Sequence, residues 1–300
     1  MGKKIFGYNY LATLRQGFYF VWPGIVKLFK IPFMDRSVTS FMRKVFWEIL
    51  QERESNNYKR NDLIDTLIHI RKTWVEDSIK YEGDRVVAQA GQFFSASFET
   101  ISGAISFALY ELCLNKDIQN RVRSEVLSVL TNDDSFTFDK INNMKYLQAI
   151  VYETLRKYPV FLFNDRMCLE DYKIPNGNLV IEKGTPLCIP VLGLHHDSKY
   201  FPNPEEFNPE RFAEENNVTS NFFYLPFGKG PRICLGERFA LLVTKLCLAH
   251  ILSKFEIEKS EDTPVPLKYR TTGIVLASTV GLPMRFKKIE KKLYYNDKLV

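Results

Sequence analysis

Cys234 lies in the run Phe227-Gly228-Lys229-Gly230-Pro231-Arg232-Ile233-Cys234-Leu235-Gly236, a glycine-rich loop at the mouth of an apolar helical segment. That setting suits a thiolate presented to a metal. A ligating cysteine must be deprotonated, and backbone N–H donors near its sulfur hold and tune the negative charge. Gly228, Gly230 and Gly236 lack a Cβ, so the chain can take positive φ and turn its amides toward the sulfur. Leu235, Gly236 and Glu237 begin a helix whose N-terminal end favours negative charge. Arg232 is placed to pair with a carboxylate. Elsewhere, Glu153 and Arg156 stand three apart on a helical segment and share one face. Ala96 and Thr100 lie one turn apart on another, with Gln92 a turn before and Glu99 beside the threonine.

A single cysteine is more often a small buried hydrophobe than a ligand. The residues around Cys234 decide otherwise, because Phe227, Gly230, Arg232, Cys234 and Gly236 fill every fixed position of the heme-binding signature FxxGxRxCxG. The chain therefore resembles the cytochrome P450 family of heme-thiolate monooxygenases. Glu153 and Arg156 match the family's ExxR motif, and Pro204-Glu205-Glu206-Phe207-Asn208-Pro209-Glu210-Arg211-Phe212 matches its PxxFxPxRF element. Ala96-Ser97-Phe98-Glu99-Thr100 resembles its oxygen-binding segment, with Ser97 where relatives usually carry glycine.

The resemblance implies heme b as cofactor, with Cys234 as the metal ligand and Phe227, Gly236 and Ala96 against the heme. Arg166 and Arg232 fall where relatives place propionate partners, and planar guanidiniums suit carboxylates. Glu99 and Thr100 would handle protons. Ser97 adds a competing hydroxyl there, so proton delivery would be slower or leakier. Glu153, Arg156 and Arg211 would form a buried ion network, structural rather than chemical. Val160, Phe161, Leu162 and Phe163, with Ile274, Val275 and Leu276 and with Phe94 and Phe98, would line a pocket for an apolar small molecule. Electrons would come from NADPH through a flavoprotein reductase docking on the cysteine side, with Lys229 and Arg238 as basic contacts. The chain resembles the middle onward of microsomal enzymes of the type insects use on plant toxins and pesticides. It implies residence at the endoplasmic reticulum membrane, on the cytosolic face.

The elements that must position these residues are mainly α-helical with a small β region, the cytochrome P450 fold without its N-terminal segment. Residues 1–170 read as helices. Apolar spacing predicts them over Ser40 to Glu54, Asp62 to Lys72, about Asp84 to Asn115, Lys116 to Thr131 and Asn142 to Tyr158. Residues 171–233 read as a small sheet, with β-type runs from Tyr172 to Pro190, followed by an irregular Pro-, Asn- and Phe-rich meander. Residues 234–257 carry a helix, about Leu235 to Phe255. Residues 258–300 hold strand-like Ile274 to Ala277 and Met284 to Phe286, then a tail. By resemblance all 300 residues are the C-terminal part of one P450 domain. An anchor helix, a β-rich segment and a Trp and Arg that clasp the propionates would precede it. The competing reading, from a different class, is a truncated piece of such an enzyme without activity, binding heme or not.

Composition bounds the alternatives. Lysine and arginine total 41 against 35 acidic residues, a net charge of +6, and the two signs are interspersed rather than gathered into a basic stripe. Nucleic-acid binding has no support. The lysines at 287, 288, 291 and 292 read as a solvated tail face. Five cysteines form no CxxC pair and no zinc spacing with the four histidines, and their apolar settings fit a reducing compartment. There the sequon Asn217-Val218-Thr219 is unused. No apolar run reaches the roughly 18 residues of a membrane span. Phe18 to Val26, aromatic-rich and broken by Pro23-Gly24, suits a membrane surface instead.

Overall fold

The computed structural model describes residues 10–56, 58–74, 81–130, 135–213, 216–270 and 275–289. They fall into two compact units, one built from the chain up to Glu99 and the other from Thr100 to Arg270 together with the stretch from Val275.

In the first unit, α1 (Tyr10–Val21) and α2 (Pro23–Phe29) flank Trp22, and Pro23 opens α2 where its missing N–H costs nothing. Trp22, Ile25, Leu28 and Phe29 expose their side chains. No helix among the described residues is long and apolar enough to cross a membrane. α3 (Arg36–Asn56) and α4 (Leu63–Thr73) follow. Phe46 and Leu50 of α3 pack with Leu67 of α4 and with Val86 and Val87. Asp62 caps α4 by accepting from the N–H groups of Ile64 and Asp65. Its carboxylate also takes both Nη groups of Arg53, at 2.8 and 2.6 Å, which ties the end of α3 to the start of α4.

α5 (Asp84–Leu114) is the long uninterrupted helix expected from the pattern; residues up to Glu99 belong to the first unit and those from Thr100 to the second. In the second unit α6 (Lys116–Val129), α7 (Phe138–Asn143) and α8 (Lys145–Lys157) follow. The predicted helix Asn142 to Tyr158 is divided at Met144, because the Glu125 carboxylate accepts from the N–H groups of Tyr146 and Leu147 at 2.9 and 2.8 Å. Those orphan donors mark a new helix start.

β1 (Asn164–Met167), which the periodicity does not show, β2 (Tyr172–Lys173), β3 (Val180–Ile181) and β4 (Pro186–Ile189) form two antiparallel pairs, β1 with β4 and β2 with β3. Asn164 stands opposite Ile189 and Arg166 opposite Leu187. The short α9 (Val191–His195) leads into the meander. α10 (Glu237–Leu252) starts later and ends earlier than the predicted Leu235 to Phe255. Phe255 instead opens β5 (Phe255–Lys259), paired with β6 (Met284–Lys288). The buried Gln119 amide explains that end: it donates to the Leu112 and Ile257 carbonyls and accepts from the Ile257 N–H, holding that backbone extended. Ile274 lies outside the described residues, and Val275–Ala277 is not a strand. It makes single bonds, Leu276 N–H to the Val160 carbonyl and Arg270 N–H to the Ala277 carbonyl.

The core of this unit gathers Ala108 and Leu112 of α5, Val122 and Val126 of α6, Leu147 and Ile150 of α8, and Leu248 and Leu252 of α10. Each fully buried aliphatic side chain contributes about 1.5–3 kcal/mol. A second cluster, Phe201, Phe212 and Tyr224 with Ala149, packs the irregular meander onto α8.

Candidate functional site

α8 carries Glu153 and Arg156 fully buried, and they pair through two hydrogen bonds, Nε to Oε2 at 2.7 Å and Nη2 to Oε1 at 2.9 Å. Their remaining capacity is spent on backbone. Arg156 donates to the carbonyls of His195 and Glu206 at 3.0 and 3.2 Å, and the Asn208 N–H donates to Glu153 at 2.9 Å. Arg211 Nε stands 3.5 Å from Glu153 Oε1, an ion-pair distance without hydrogen-bond geometry, while its Nη2 donates to the Asn203 carbonyl. Burial pushes the Glu153 carboxyl above its ordinary value, and Arg156 pulls it back. The expected three-residue network is therefore present, and it pins α8 to the meander.

From there the chain reaches the cysteine loop. Gly228 N–H donates to the Leu225 carbonyl at 3.1 Å, and Cys234 N–H donates to the Phe227 carbonyl at 2.9 Å, closing the loop. Gly228 and Gly230 adopt φ of 72° and 80°, the left-handed region that disfavours any side chain. Gly236 does not, since its φ is −92°. The expectation of positive φ fails there. What Gly236 offers is proximity, because a Cβ on it would sit 4.0 Å from Cys234 Sγ. It precedes α10 as its N-cap residue and, having no side chain, makes no side-chain cap bond itself.

Cys234 is an exposed free thiol. Around it in sequence Ile233, Leu235 and Phe239 are also exposed, Leu235 completely. Arg166, on β1, brings its guanidinium to the loop, where a Cβ on Gly228 would be 4.0 Å from its Nη2. Arg232 is exposed in the turn Gly230–Arg232. Phe227 packs half-buried against the unit's core. Phe161, Leu162, Phe163 and Met167 expose further apolar surface.

The donor set fits a heme. Among the described residues no three His, Cys, Asp or Glu side chains cluster to hold a bare metal ion; a lone cysteine thiolate is the protein ligand of a metal that carries its other ligands in a macrocycle. A flat apolar macrocycle would cover the exposed aliphatic and aromatic groups, and Arg166 and Arg232 would take its carboxylates.

Ala96, Glu99 and Thr100 stand on α5 as the pattern predicts, Ala96 exposed and the other two half-buried. The Ser97 hydroxyl donates to the Phe94 carbonyl of its own helix at 3.3 Å, and Phe94 and Phe98 stack on one another at 5.7 Å. Lys229, read from sequence as a docking contact, is tied down instead. Its ammonium donates to the Thr219 and Ser220 carbonyls at 3.0 and 2.8 Å. Arg238 is exposed. One residue went unseen in the sequence reading: His195, fully buried, whose ring bridges α8 and the loop. Nothing in the spacing around it signals that role.

The cytochrome P450 family model matches residues 6–282. Cytochrome P450 6k1 of Blattella germanica is 42% identical over 96% of this chain, and the chain covers 59% of that protein. Probable cytochrome P450 6a13 of Drosophila melanogaster is 39% identical over 97% of the chain, again covering 59% of the relative. Cytochrome P450 9e2 of Blattella germanica is 35% identical over 91%. The chain thus spans about three-fifths of the length of the curated relatives it matches. With the thiol loop, the buried Glu153–Arg156 pair and the matched length all in agreement, this chain belongs to the cytochrome P450 family.

Proposed function

We propose that the chain is the heme-bearing part of a monooxygenase that inserts one atom of dioxygen into an apolar small molecule, a xenobiotic, hormone or lipid-like compound. The observation that carries this is Cys234, an exposed thiol in a loop closed by its own amide and braced by buried charge. Heme, when bound, supplies the one-electron and dioxygen chemistry. Cys234 Sγ is its protein ligand, presented at the start of α10. Arg166 and Arg232 hold the propionates. Ala96 leaves room on α5 for a flat ring. Glu99 and Thr100 hold and pass protons, and the Ser97 hydroxyl competes beside them. Phe161, Leu162 and Phe163 keep water from the reacting centre and select apolar substrates.

Electrons reach the site from NADPH through a flavoprotein reductase docking on the cysteine side, with Arg238 as one basic contact. The exposed Trp22, Ile25, Leu28 and Phe29 support contact with a membrane surface, at the cytosolic face of the endoplasmic reticulum. The test is the carbon monoxide difference spectrum of the reduced, heme-loaded chain. A strongly red-shifted Soret band is expected, abolished by Cys234→Ala. An unshifted band, or one that survives that substitution, would overturn the assignment.

A further inference from the structure

We propose that His195 is a positioning residue for the Cys234 loop, acting through the Leu225 N–H; the proposal rests on the reading of Cys234 as the metal ligand. His195 is the last residue of α9 and fully buried. Its Nδ1 stands 3.2 Å from the Arg156 carbonyl, and its Nε2 accepts from the Leu225 N–H at 2.9 Å. A ring that accepts at Nε2 must carry its proton at Nδ1, and the Arg156 carbonyl is the acceptor that fixes this tautomer. Arg156 reciprocates by donating Nη1 to the His195 carbonyl at 3.0 Å. The ring is further clamped by stacking on Tyr224, with centroids 5.2 Å apart.

The consequences run down the chain. Leu225, held by its N–H, offers its carbonyl to Gly228, and two residues on the Phe227 carbonyl takes the Cys234 N–H. Hydrogen bonds and short backbone steps thus link the Glu153–Arg156 pair to the cysteine amide, and the imidazole is the only side chain whose atoms interrupt that backbone route. Remove the acceptor at Nε2 and the Leu225 N–H is buried without a partner. The turn Leu225–Gly228 then loses its backbone bond toward α8 and keeps only the neighbouring Tyr224, whose hydroxyl donates to the Tyr152 carbonyl at 2.9 Å, so the loop that presents the sulfur loosens.

Two amide substitutions separate this role from simple packing. His195→Gln reaches the Nε2 position and keeps an acceptor for Leu225. His195→Asn is shorter, keeps a donor toward Arg156 and loses that acceptor. Residue-resolved hydrogen exchange of the whole chain reads the Leu225, Gly228 and Cys234 amides directly, with α8 amides as the control. Loss of a hydrogen bond is worth about tenfold in opening. The three loop amides are expected to exchange roughly tenfold faster in His195→Asn, with α8 unchanged, and within about threefold of the unsubstituted chain in His195→Gln. The red-shifted fraction of the carbon monoxide spectrum should follow the same order. Equal exchange in all three chains, or equal acceleration in both variants together with α8, would overturn the proposal. Should no chain show the red shift, the ligand assignment fails while the exchange result still decides the anchoring of the loop.

Discussion

Gly228 and Gly236 flank Cys234 but answer different demands. At φ 72° Gly228 occupies backbone that an L side chain reaches at a cost of about 1–2 kcal/mol, although the space beside it is ordinary, with nearest atoms at 3.9 Å. Gly228→Ala should therefore lower the stability of the second unit by about that amount in urea unfolding. Gly236 at φ −92° carries no such strain, and Gly236→Ala should stay within about 0.5 kcal/mol. The reverse order would mean that crowding, not backbone conformation, governs the loop. These loop residues were legible in the sequence because the signature is contiguous and each fixed position has its own chemical reason. The approach of the Arg166 guanidinium to the loop at Gly228 and the bond from Leu225 to His195 were not. Both join residues distant in sequence, and the second goes to a backbone N–H that any residue but proline supplies.

α8 is the element on which the site hangs, since it holds the meander through Glu153 and Arg156 and receives α9 through His195. Arg156→Leu would leave the buried Glu153 carboxylate with only the Asn208 N–H and the more distant Arg211 as partners, a loss of about 3–5 kcal/mol. Glu153→Leu with Arg156→Leu removes both charges, so the double variant should be less damaged than the sum of the singles. A double-mutant cycle on denaturant midpoints checks this, and additivity would deny that the pair is coupled. At this scale the long helices were legible, α5 almost to the residue, because a buried helical face repeats over many turns. Their ends were less so. α8 begins where Glu125, on another helix, takes the free N–H groups, and α10 stops where Gln119 holds β5. Both boundaries are set by tertiary partners invisible to local spacing.

For the molecule as a whole, acid should weaken the two units in different pH windows. In the first, the hydrogen-bonded Arg53 guanidinium holds Asp62 down to about 2, and Arg43 lowers Asp84 in the same way. A depressed carboxylate contributes stability above its unfolded value of 3.8 that is lost as pH falls through the folded one. In the second, burial lowers His195 from 6.5 to about 3, so the unfolded chain binds the proton first. Stability is then full above 6.5 and falls toward pH 3, by about 1.4 kcal/mol per pH unit for one such histidine. His196 is lowered too, and Glu153, raised by burial, titrates in the opposite sense. The His195 share is isolated by difference. The stability of the unsubstituted chain minus that of His195→Gln should shrink steadily between pH 6.5 and 4.5. All three tryptophans, Trp22, Trp47 and Trp74, belong to the first unit, so their fluorescence follows that unit while far-UV circular dichroism follows both. From pH 7 to 5 the circular dichroism midpoint in urea should fall and the tryptophan midpoint should hold, with both falling below about pH 4. A difference between the two chains that stays flat with pH would mean that His195 takes up its proton without leaving its bonds.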